Sequence, residues 1–240
     1  MGRVTHADTQ MMMAYLLSRG SALPYRKDGL IMHLDAIQNT RGGHNASATT
    51  WEDLSGVGMD VTLYNATWGA DYCAFTGADN SYGLGPKYPF ASGGVTIEVV
   101  FSMATQNINT GIAGWSYYGA SSNRPTIFVE YAKPLCVTGE GSGYRDMSNI
   151  ALATTTYVAF SITAARKNAV AYVPTGIPSI TGTTPNRFRL ATYGSIADAN
   201  YPGYGLNGRI MAVRVYDANL SAAELEAHWL IDKARFNIPD

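Results

Sequence analysis

Charge is scarce in this chain. Of its 240 residues only 15% are Asp, Glu, Lys or Arg, and the formal net charge is -1. Holding nucleic acid or lying on anionic lipid calls for a clear basic excess, so neither partner is expected. Cysteine is scarcer still: Cys73 and Cys136 are the only two, too few for a disulfide framework or a zinc knuckle. One bridge between neighbouring strands and two separate thiols both remain open. Long apolar runs are also missing. Met11 to Leu17 is apolar for only seven residues, far short of the roughly 20 that cross a bilayer, so no membrane insertion is expected. The run has neither the basic leader nor the small-residue cleavage site of a signal peptide.

Recognisable catalytic patterns are lacking too. His6, His33, His44 and His228 show no metal-ligand spacing and read as surface or helix-face residues, and no Gly-x-Ser-x-Gly elbow is present. A glycosidase sets two carboxylates a few ångströms apart. Here Glu98 stands alone in its segment, and Glu130 and Glu140 fall in others. The expectation from sequence is that the chain is not an enzyme.

What is present is alternation. Val95, Ile97, Val99 and Phe101 alternate with Thr96, Glu98, Val100 and Ser102, as a strand between core and solvent should. Leu30 to Ala36, Val61 to Leu63, Trp68 to Phe75, Tyr82 to Leu84, Ile127 to Tyr131, Val158 to Ile162, Val170 to Tyr172 and Arg187 to Leu190 read as further strands. Pro86 and Pro89 are expected to end the Tyr82 run. Twenty-five glycines and sixteen tyrosines suit short strands joined by tight turns. Asn207-Gly208 reads as such a turn. After it Met211, Val213 and Val215 fall on one face, and Ile210, Ala212, Arg214 and Tyr216 on the other. Ser221-Ala-Ala-Glu224 has capping-box spacing, and Leu225, Trp229 and Phe236 give the helix behind it one apolar stripe. Thr5 to Asp8 has the same spacing and Gly20 marks a stop, so a second helix is expected over about residues 6–18.

Five stretches, in order, carry a resemblance. Asp28-Gly-Leu-Ile-Met-His-Leu-Asp-Ala36 with Thr50-Trp-Glu-Asp-Leu-Ser-Gly-Val-Gly58 comes first, then Cys73-Ala-Phe-Thr-Gly-Ala-Asp-Asn80 with Val95 to Phe101. Leu206-Asn-Gly-Arg-Ile210 through Leu220-Ser-Ala-Ala-Glu-Leu225 closes the set. Together they resemble laminin-G-like domains of the concanavalin A-like lectin/glucanase superfamily. The resemblance implies an all-β fold, a two-sheet antiparallel jelly-roll sandwich with a short N-terminal and a C-terminal helix. Residues 1–27 would be helix and linker, and residues 28–240 the jelly-roll domain.

In related jelly rolls a structural calcium lies where first and last strands meet, which implies Asp35 and Asp217 as metal ligands. For a ligand, two loops combine aromatic rings that stack on sugar faces with polar groups that bond hydroxyls. Trp115, Tyr118, Asn123 and Arg124 lie in one; Asp198, Asn200, Tyr201 and Tyr204 lie in the other. The leading expectation is a non-catalytic carbohydrate-recognition or adhesion module for a glycan or cell-surface polysaccharide. The alternative is a structural or decoration component of a bacteriophage virion or surface assembly. Its Met-rich segment at residues 6–18 would meet a virion partner or a second copy in a homo-oligomer. A glycoside hydrolase is the weaker alternative. Both leading readings place the protein outside cells or on a virion.

Overall fold

A computed structural model describes residues 25–89, 94–105, 109–115, 126–130, 133–137, 149–161, 163–172, 186–192 and 204–240. The segment at residues 6–18 lies outside them, as do Tyr118, Asn123, Arg124, Asp198, Asn200 and Tyr201. Strands follow in chain order as β1 (Leu30–Asp35), β2 (Thr50–Trp51), β3 (Val61–Tyr64), β4 (Thr67–Trp68), β5 (Cys73–Thr76), β6 (Tyr82–Tyr88), β7 (Thr96–Met103) and β8 (Asn109–Gly114). After them come β9 (Thr126–Glu130), β10 (Lys133–Val137), β11 (Thr156–Ser161), β12 (Ala165–Lys167), β13 (Val170–Tyr172), β14 (Asn186–Leu190), β15 (Asn207–Tyr216) and the helix α1 (Ala222–Phe236). Every strand pairing among them is antiparallel.

Two sheets form. The first runs β13-β12-β11-β7-β15-β5-β4, with β1 beside β5 on the same side of β15; the second runs β10-β9-β8-β14-β6-β3-β2. The alternation read along Val95 to Ser102 explains why they stack. Ile97, Val99 and Phe101 turn inward with Val158, Phe160, Val213 and Val215, against Trp51, Val61, Ile127, Val129, Phe188 and Leu190 of the second sheet. Each such side chain taken fully out of water contributes about 1.5–3 kcal/mol. The other face of the first sheet is apolar as well. Val100, Tyr157, Ala159, Ala212 and Tyr216 pack against Leu225, Trp229 and Phe236 of α1. The helix starts as expected: the Glu224 amide donates to the Ser221 hydroxyl, and the Glu224 carboxylate accepts from the Ser221 amide.

Three expectations are corrected. Asn207-Gly208 is no turn; it opens β15, and a Cβ added to Gly208 would stand 2.1 Å from the Ser102 carbonyl oxygen. Glycine is there for close approach of two backbones. The register between β15 and β7 shifts between Ile210 and Ala212, a bulge at Met211 that reverses the faces. Ile210 therefore shares the inter-sheet core with Val213 and Val215, while Met211 faces the helix side. Pro86 does not end β6. The register of β6 against β14 shifts across the same place, between Arg187 and Arg189, and a bulge is where a sheet interior tolerates proline. Cys73 is buried and belongs to β5 of the first sheet, whereas Cys136 belongs to β10 of the second, so they are not on neighbouring strands.

Candidate functional site

Glu98 does not stand alone. Facing outward from β7, it lies opposite Arg214 of β15, beneath α1. Arg214 Nε donates to Glu98 Oε2 at 2.7 Å, and its two terminal nitrogens donate to the Asp232 carboxylate. Glu98 Oε1 accepts from the Tyr157 hydroxyl at 2.7 Å and from His228 Nδ1 at 2.9 Å. His228 Nε2 accepts the Arg26 amide at 3.2 Å, which puts the ring proton on Nδ1. Tyr25 donates to Asp232, and Arg235 pairs with Asp35. His228 is therefore a buried member of this network, 2% exposed, and not a surface residue.

Burial alone would raise the Glu98 carboxyl, but the Arg214 guanidinium and the His228 ring outweigh it and hold it down at about 2. Burial pushes the Tyr157 and Tyr25 hydroxyls well above their usual value, helped by the adjoining carboxylates. Burial and the Arg214 charge push His33 down to about 4. Glu98 and Asp232 are wholly buried, so no solute reaches them. The network fastens α1 and the chain at Tyr25 and Arg26 to the first sheet.

The residues expected to bind metal are not brought together. Asp35 stands opposite Ala212, whereas Asp217 follows Tyr216, which stands opposite Leu30 at the far end of the same pair of strands. Asp35 is engaged by Arg235 and by the Ile37 amide. Burial raises the Asp217 carboxyl while a hydrogen bond from Tyr88 lowers it. Among the described residues no three of His, Cys, Asp and Glu cluster as a metal would need. Trp115 is in the inter-sheet core, 1% exposed, with its ring 4.6 Å from that of Phe188. It is not placed to stack on a sugar. Tyr204 is half-buried, and its carbonyl accepts the Gly111 amide.

The open chemistry lies on the outer face of the second sheet. Val61, Gly83, Gly85, Phe188 and Leu190 point into the core, so Thr62, Tyr64, Tyr82, Leu84 and Arg187 point away from it. Tyr64 and Tyr82 are cross-strand partners, with rings 4.7 Å apart and inclined by 22°; Tyr64 is 40% exposed. Beside them Gly58, Asp60, Thr62, Leu84, Gly85, Pro86, Lys87 and Arg187 line a shallow depression of about 440 Å³. Its wall at Asp60 is fixed locally. The wholly buried Asp53 accepts the Ser55, Gly58 and Met59 amides and donates its own amide to Asp60, and Asp60 also pairs with Arg41 at 2.5 Å. Aromatic rings, a hydroxyl and charged groups around an open hollow are the means by which a protein holds a sugar. Sequence reasoning missed this face. Its signal was the alternation Thr62-Leu63-Tyr64 beside Tyr82-Gly83-Leu84, which sets both tyrosines outward once the strands pair.

No protein-family model and no curated protein matches the chain. Solved structures do. A Trypanosoma rangeli sialidase holding 2,3-difluorosialic acid as a covalent intermediate aligns with a TM-score of 0.65 at 14% identity, over 98% of this chain and 39% of that one. A mutant of the same sialidase that displays trans-sialidase activity aligns with a TM-score of 0.64 at 14% identity, over 98% and 39% of the two chains. The binding domain of Paraclostridial Mosquitocidal Protein 1 aligns with a TM-score of 0.59 at 12% identity, over 85% and 52%. The chain thus spans about two fifths of the sialidases' length. These likenesses correct the expectation that the chain is not an enzyme, because the fold occurs within chains that carry an enzyme's name. Carboxylates far apart in sequence do meet in space, as Glu98 and Asp232 do around Arg214. Nothing in the likenesses is specific to laminin-G domains; what they establish is the fold, a two-sheet antiparallel β-sandwich.

Proposed function

We propose that this chain recognises carbohydrate and that the outer face of the second sheet is where it does so. One observation carries the reading: the stacked pair of exposed Tyr64 and half-buried Tyr82 stands on the same open face as the depression between Asp60 and Arg187. A pyranose ring has an apolar face for a tyrosine and hydroxyls for Thr62 and Asp60. The sandwich holds these groups rigidly, so little ordering is needed on binding. The β-sandwich fold and its occurrence in the binding domain of a mosquitocidal protein support this reading, and the order of the sequence motifs favours a laminin-G-like module within it.

A glycan array tests the proposal. Binding to at least one glycan class is expected, and Tyr64→Ala with Tyr82→Ala is expected to weaken it about two- to tenfold per ring, from the roughly 0.5–1.5 kcal/mol of an aromatic pairing. An array without signal, or binding that ignores both substitutions, refutes it.

A further inference from the structure

The depression carries a charge pattern that folding alone does not explain. Lys87 of β6 and Arg187 of β14 are direct cross-strand partners, both exposed, and both line the hollow. The bulge at Pro86 brings this about. Without it Lys87 would continue the inward phase of Gly83 and Gly85; with it Lys87 joins Arg187 outside, and Tyr88 turns in to pack against the core. Like charges set directly opposite each other in a sheet are destabilising. Among the described residues neither side chain has an ion pair or a hydrogen bond to offset this. The nearby carboxylates do not serve them: Asp60 and Glu52 both pair with Arg41. In a chain where only 15% of residues are charged, two cations set side by side at the edge of this hollow, with no partner among the described residues, call for an explanation outside the fold.

We infer that the glycan this face takes is an acidic one, whose carboxylate or sulfate sits between Lys87 and Arg187 while its ring lies toward Leu84 and the Tyr64–Tyr82 pair. Arg187 offers a planar fork that matches either anion with two parallel hydrogen bonds, and Lys87 adds a mobile point charge. The inference rests on the carbohydrate reading above and names its substrate class.

The test compares polygalacturonate, the same polymer fully methyl-esterified, a sulfated glycosaminoglycan and a neutral glucan, each titrated at 50 and 500 mM NaCl. Tighter binding of an acidic polymer than of both the esterified and the neutral one, weakened by salt, is expected. Lys87→Gln with Arg187→Gln should reduce acidic binding about tenfold and abolish the preference over the neutral glucan, and Arg187→Lys alone should give an intermediate loss. Because the pair is exposed and mutually repulsive, the double variant should melt no lower than the parent, which separates lost binding from lost fold. Binding of neutral and acidic polymers alike, or an acidic preference that survives the double substitution, overturns the inference and leaves the carbohydrate reading standing. Failure to bind any of the four, together with a blank array, removes both.

Discussion

Replacing Arg214 by methionine tests how the helix is held. Arg214 is 1% exposed and stands between two fully buried carboxylates, Glu98 and Asp232. Methionine fills much of the same volume but supplies no charge, so both carboxylates lose their cation while staying out of water. Breaking a buried pair from one side costs about 3–5 kcal/mol, a large share of the roughly 5–15 kcal/mol by which domains are stable. At about 2–4 °C per kcal/mol for a chain of this size, the melting point should fall by about 6–20 °C. The pH dependence fixes the cause. In the parent, Glu98 is held at about 2 against an ordinary 4.5, so its stabilising contribution is complete above pH 4.5 and fades as pH falls toward 2. In the variant burial dominates and the Glu98 carboxyl rises above its ordinary value, so the variant gains stability as acid protonates it. The gap between the two proteins must therefore narrow between pH 7 and pH 4. Urea unfolding followed by tryptophan fluorescence at both pH values measures it. A loss under about 1 kcal/mol at pH 7, or a gap unchanged at pH 4, refutes the reasoning. Replacing Glu98 and Asp232 by leucine in the same variant should recover most of the loss, because no buried charge is then left unpaired.

Three further outcomes are expected. His33 is held at about 4 against an ordinary 6.5, so between those values the unfolded chain binds a proton that the folded one does not. Stability should fall by about 3 kcal/mol as pH drops through that window, and His33→Leu should flatten this part of the stability–pH curve. Gly208→Ala drives a methyl group into the Ser102 carbonyl and should cost about 1–3 kcal/mol in denaturant unfolding; a neutral result would show that the two strands separate easily. Ser221→Ala removes one side of the capping box and should cost about 1 kcal/mol by the same measurement.

Much of the architecture was legible because alternation and capping are local. Val95 to Phe101 and the Ser221–Glu224 box need only their own neighbours to be read. The bulges were not legible. Met211 and Pro86 change the phase of their strands only through a partner's register, and no residue beside them announces it. The buried network was hidden for the same reason: Glu98 and Arg214 meet only when β7 and β15 pair. One clue lay in the helix, where Asp232 occupies the stripe of Leu225, Trp229 and Phe236, since a charge on a buried stripe requires a partner. The site was half visible. Aromatic rings beside polar groups pointed to stacking on a sugar, but only in loops, where binding residues concentrate, whereas Tyr64, Tyr82, Lys87 and Arg187 sit on paired strands.

The position of β15 has a consequence for how the protein is made. It hydrogen-bonds β7 along one edge and both β1 and β5 along the other, yet every one of these partners leaves the ribosome before it. At roughly 5–20 residues per second, the interval between the end of β7 and the end of β15 is on the order of ten seconds. Through that time three strand edges await a neighbour still being synthesised, and such edges accept strands from other chains as readily as from their own. Crowded nascent chains are thus the setting in which this protein is most prone to misassembly, and slowing translation between the two strands should increase aggregation without changing the finished molecule.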